Sequence, residues 1–127
     1  MMPDVKSSHP VYAASINGVE IAGRVCSANT FRARTVGLLG RDHLPAGELL
    51  WIHAAPSIHT FGMRFAIDVI FLNQSREITR VVWAVPGFRM VLGGYGACSV
   101  LEAQTGWLDR TRVVKGAKVE FSAVPSS

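Results

Sequence analysis

The chain has 127 residues, 49% of them apolar and 17% charged, which suits one folded domain and excludes a disordered or fibrous chain. Thirteen basic residues against nine acidic ones leave a net charge of +4, and ten of the thirteen are arginine. The most apolar stretch, Phe65 to Leu72, is too short to cross a bilayer and carries Asp68 within it, so a membrane span is excluded.

Residues 1–10, with Pro3 and Pro10 and no apolar periodicity, read as a flexible arm before a domain over 11–121, and 122–127 as a flexible tail. Val11–Ile16 and Val19–Cys26 flank Asn17-Gly18, a dipeptide that accepts the positive φ angles of a type I′ turn, which predicts a hairpin. Asn29 or Thr30 caps a short helix whose apolar face is Phe31, Val36, Leu38 and Leu39 and whose stop is Gly40. Pro45-Ala46-Gly47 turns into an apolar strand over Leu49–His53, and Pro56 ends it.

Ile58 to Leu72 is dense in β-branched and aromatic residues and predicts two strands. On the second, both faces are apolar except at Asp68, the pattern of a central strand. A turn at Asn73-Gln74-Ser75 leads to a strand over Glu77–Val85. Phe88–Gly96, with Gly93, Gly94 and Gly96 around Tyr95, reads as a flexible loop. Ala97–Ala103 is a strand, Gly106–Arg112 a short helical turn, and Lys118–Phe121 a final strand. About seven strands and two short helices predict an α+β domain, mainly antiparallel, curled into a sandwich or partial barrel.

Asp68 is the residue whose environment most demands an explanation, because a carboxylate inside a sheet needs a donor or a cation beside it. Arg64, Arg34, Arg41, Arg80 and Arg89 are the candidate partners, together with backbone amides at a turn. His59 and Thr60 lie a few residues before it, and an imidazole near a buried carboxylate is the ordinary ingredient of a proton-transfer pair. No nucleophile motif accompanies them. Glu102 offers a second carboxylate to the same cavity, or an edge-strand charge. Trp51, Trp83 and Trp107 read as core or rim packing, or as the wall of a pocket.

The four histidines have no metal-ligand spacing, so no metal and no cofactor is assigned. Cys26 and Cys98 are isolated and read as buried, reduced thiols in a cytoplasmic protein, since no secretory signal precedes them. The arginines are scattered and not interleaved with aromatic residues, which argues against nucleic acid as a partner.

Thr30-x-x-x-Arg34-x-x-Gly37-Leu38-Leu39-x-Arg41-x-x-Leu44, then Gly47, Asp68-Val69-Ile70-Phe71-Leu72, Val100-Leu101-Glu102 and Gly116-x-x-Val119, resembles the domain of unknown function 192 (DUF192) over about residues 19–121. The resemblance implies a β-rich α+β fold and brings no biochemical activity with it. Arg34, Gly37, Arg41, Asp68 and Glu102 match the family's pattern. Where that pattern has a lysine and an asparagine before the aspartate, this chain has Ile58-His59-Thr60-Phe61-Gly62-Met63. His59, Thr60 and Arg64 are the candidates to stand in for them.

Together these observations predict a small binding module with a polar pocket near Asp68, lined by His59, Thr60, Arg64, Arg89 and Glu102, for a small anionic or polar ligand or a protein partner. The alternative is a hydrolase or isomerase using Asp68 and His59 for acid/base chemistry. Arg34, Gly37 and Arg41 are expected to be structural.

Overall fold

The computed structural model describes residues 11–28, 45–60 and 65–124, and among them every regular element is a strand. The strands are β1 Val11–Ile16, β2 Val19–Ala28, β3 Glu48–Ile52, β4 Ser57–His59, β5 Ile67–Leu72, β6 Ile78–Val85, β7 Met90–Leu92, β8 Ser99–Gln104 and β9 Glu120–Ala123. The expected α+β class is therefore corrected to all-β for the described residues. The helix expected from Asn29 or Thr30 to Gly40 lies outside them, as do Arg34, Gly37, Arg41 and Arg64.

The second expected helix is overturned on local grounds. Gly106 has φ +113°, and Asp109 accepts hydrogen bonds at Oδ1 from both the Thr111 amide (2.9 Å) and the Thr111 hydroxyl (2.5 Å). A side chain that satisfies nearby amides itself competes with helical pairing, and the segment forms successive turns.

Seven strands form one sheet in the order β6-β5-β8-β3-β2-β1-β9, while β4 and β7 form a separate pair. Asn17 and Gly18 have φ +51° and +78°, so the β1–β2 hairpin turns as expected. β2 and β3 pair in parallel, Arg24 opposite Glu48 and Ala28 opposite Ile52. Ser122 and Ala123, expected in a loose tail, pair with Ala13 and Tyr12 in β9.

The ends of the sheet meet. The Ile78 amide donates to the Ala117 carbonyl (2.8 Å), the Gly116 amide to the Ile78 carbonyl (2.8 Å) and the Val119 amide to the Arg76 carbonyl (2.9 Å), and Glu77 bridges Lys118. The lead-in to β9 thus closes the sheet onto the start of β6 as a barrel, leaving the rest of β6's outer edge without a strand partner among the described residues.

Strand alternation then sorts the apolar residues into two clusters. Val25, Leu49, Trp51, Ile70, Leu72, Leu101 and Ala103 fill the barrel, whereas Ile52, Ile67, Val69, Phe71 and Val100 face outward and are roofed by Ile58 of β4 and Val91 of β7. Every residue of β5 is buried because the barrel core packs one face and the β4–β7 lobe the other.

Candidate functional site

Asp68 is 1% exposed and points into the barrel, on the same face as Ile70 and Leu72. Its partners are hydrogen-bond donors from backbone and hydroxyl. Oδ1 accepts the Ala84 amide (2.9 Å) and the Thr105 hydroxyl (2.6 Å). Ala84 sits in a β-bulge of β6, between the pairs Ile67–Val85 and Val69–Val82, with φ +54°. A bulge takes an amide out of the ladder, and the Asp68 carboxylate supplies the acceptor that the strand does not.

Glu102 is 0% exposed but lies on the other side of the sheet. Its ladder partners are Val69 on β5 and Leu50 on β3, while its neighbour Ala103 is the partner of Asp68. Opposed residues share a face and successive residues alternate, so the two carboxylates are separated by the sheet and cannot serve one cavity.

His59, Thr60 and Arg89 come together in the β4–β7 lobe. His59 pairs with Met90, and the Thr60 hydroxyl donates to the Pro86 carbonyl (2.6 Å) and accepts the Arg89 amide (2.9 Å). Thr60, 0% exposed, therefore stitches β4 to the loop before β7. The lobe packs on the outer face of β5, and Asp68 looks inward from that strand, so the sheet separates it from His59.

The groove lies elsewhere, along the outer edge of β6. It has a volume of about 890 Å³ and is lined by Arg80 and Trp83 of β6, Tyr95, and Arg110 and Lys115 from the turns before β9, with Glu77 at one end. The Arg110 guanidinium lies 4.5 Å from the centre of the Trp83 ring, a cation–π contact that fixes it over the groove wall. Arg112, from the same turn, is spent on Asp109 at 3.3 Å. Among the described residues no ion pair engages Arg80, Arg110 or Lys115. The density of Arg110, Arg112 and Lys115 in six residues was the available sequence signal, but only barrel closure brings that segment to β6.

A second polar group surrounds Trp51 in the barrel core. Ser27 Oγ and His53 Nε2 are 2.6 Å apart, and the His53 ring lies 4.3 Å from Trp51, whose indole N–H donates to Ser99 Oγ (3.2 Å). Trp51 stacks on Phe121 at 4.0 Å, and the Arg76 guanidinium covers it at 5.2 Å. Burial, and secondarily the Arg76 charge, hold the His53 imidazole below its ordinary pKa.

Among the described residues no three His, Cys, Asp or Glu side chains converge on a common point. Neither cysteine forms a disulfide among the described residues, and Cys26 is half-buried and Cys98 exposed where burial of both was expected. No helix among the described residues is long and apolar enough to cross a membrane.

The family model of DUF192, described as "Uncharacterized ACR", matches residues 13–121. A UPF0127 protein of Thermococcus sibiricus is 32% identical over 114 residues, covering 82% of this chain and 73% of that protein. A UPF0127 protein of Pyrococcus furiosus is 30% identical over 110 residues, covering 83% and 92% respectively. In fold, the chain is similar to a protein of unknown function from Novosphingobium aromaticivorans, with a TM-score of 0.74 at 19% identity over 88% of this chain and 84% of that one. With nearly the whole barrel inside the matched span, the chain belongs to the DUF192 family of uncharacterised proteins.

Proposed function

We propose that this chain is a small binding module and that its ligand is a small anion held in the groove beside β6. The observation that carries this reading is the convergence of Arg80, Arg110 and Lys115 on one groove whose single acidic lining residue is Glu77. Cations without carboxylate partners, set against an aromatic wall, favour a ligand that brings its own negative charge, and arginine favours one with planar or tetrahedral oxyanion groups. The Glu77 carboxylate is itself occupied by the Asn73 side-chain amide (3.0 Å), which reduces its competition for the cations.

Asp68 is a bolt for the β6 bulge in this reading, and acid/base chemistry with His59 has no geometric support. Titration with inorganic pyrophosphate and with citrate, followed by backbone amide NMR, tests the proposal. Resonances of residues 79–83 and 110–116 are expected to move together, and Arg110→Ala or Lys115→Ala is expected to weaken binding about tenfold each. Shifts confined to other parts of the barrel, or affinities unchanged in both variants, would overturn the assignment.

A further inference from the structure

Phe88, Met90 and Leu92 are 71%, 66% and 62% exposed, whereas Val91 between the last two is 7% exposed and packs inward. Alternation along a strand explains why one set points out. It does not explain why the outward set is apolar, since a solvent-facing strand ordinarily carries polar side chains there. Tyr95, 103% exposed, continues the stripe beyond β7. Phe88 is held at φ +62°, an unfavourable conformation for a bulky residue, and the ring still stands in solvent.

The charges around the stripe have one sign. No acidic residue occurs between Glu48 and Asp68 or between Glu77 and Glu102, so β4, β7 and their flanking loops carry no carboxylate. Two arginines are tied to the ends of the stripe by its own carbonyls: Arg80 Nη1 donates to Leu92 O (2.6 Å) and Arg89 Nη1 to Phe88 O (3.3 Å). Both guanidiniums are therefore positioned beside the apolar side chains.

We propose that the outer face of the β4–β7 lobe docks on a bilayer surface rich in anionic lipids, with Phe88, Met90 and Leu92 entering the acyl boundary and Arg80 and Arg89 at the level of the phosphates. Such docking is peripheral and requires no span. Side chains that protrude singly match a deformable phase, which needs no preformed sockets, and lipid phosphates supply the charge the lobe lacks. A second copy of the chain fits less well, because a symmetric contact would bring arginine against arginine with no acid on either side.

Co-sedimentation of the full chain with vesicles of phosphatidylcholine alone, and with added phosphatidylserine, tests this. Binding is expected only with phosphatidylserine and is expected to fall steeply with salt. The double substitution Met90→Ser/Leu92→Ser, at exposed positions, is expected to keep the thermal transition and lower the partition coefficient about tenfold or more, and Arg89→Glu is expected to lower it as well. Absence of binding to phosphatidylserine vesicles, or retention by the double variant, would overturn the proposal. So would a solution dimer that the double variant dissociates.

Discussion

At the scale of single residues, Asp68 is a buried acceptor of two half-buried hydrogen bonds, from the Ala84 amide and the Thr105 hydroxyl. Asp68→Ala leaves both without a partner and is expected to cost about 2–4 kcal/mol in urea denaturation. Asp68→Asn keeps an acceptor oxygen in place and is expected to cost about 1 kcal/mol; equal losses for the two variants would show that the hydrogen bonds are not what Asp68 contributes. His53 makes a different prediction. Its folded-state pKa is depressed by burial first and Arg76 second, so the unfolded chain takes up the proton first as pH falls. The neutral imidazole's contribution is thus present above about pH 6.5 and lost as pH drops through the lower folded value. The margin in melting temperature of the native chain over His53→Gln is expected to shrink between about pH 8 and pH 5, and a constant margin would contradict the assignment. Neither role is written in local sequence. Asp68 was recognisable as buried, but its donors come from residues 84 and 105, and Ser27 meets His53 only through the parallel pairing of β2 with β3.

Among the elements, β7 is the most instructive. Its glycine-rich surroundings read as a loop, yet three residues pair with β4, and Gly93 is what lets them approach the barrel. A Cβ placed there would lie 2.5 Å from both Phe71 Cδ1 and Ala97 Cβ, inside contact distance. The Gly93 amide donates to Pro56 O (2.9 Å), and its carbonyl accepts the Thr79 hydroxyl (3.0 Å), so the backbone cannot easily retreat. Gly93→Ala is accordingly expected to lose about 1–3 kcal/mol of unfolding free energy, and Phe71→Leu in that background to recover part of it. An unchanged denaturation midpoint would mean that the lobe shifts freely over the sheet. β5 lies at the other extreme: a run apolar on both faces except at Asp68 announced a strand covered on both sides, and it is one.

Across the whole molecule, closure of the sheet decides where function can reside. Pairing of residues 76–78 with 116–119 protects the start of β6 and sets the 110–116 turns beside the remainder of its edge, producing the groove. The β4–β7 lobe covers the outer face and turns its own outward residues to solvent, producing the apolar and arginine-flanked stripe. The two surfaces share Arg80 and Tyr95, which line the groove and border the stripe.

What the chain's sequence determined by itself is local: the Asn17-Gly18 turn, most strand positions and the burial of β5, because alternation, β-branching and turn chemistry act between near neighbours. Only the tertiary structure decided that Asp68 and Glu102 face opposite sides of one sheet, and that Arg80 meets Arg110 and Lys115. Those outcomes depend on ladder register and on which distant strands pair, and a shift of one residue in register would have exchanged the two faces.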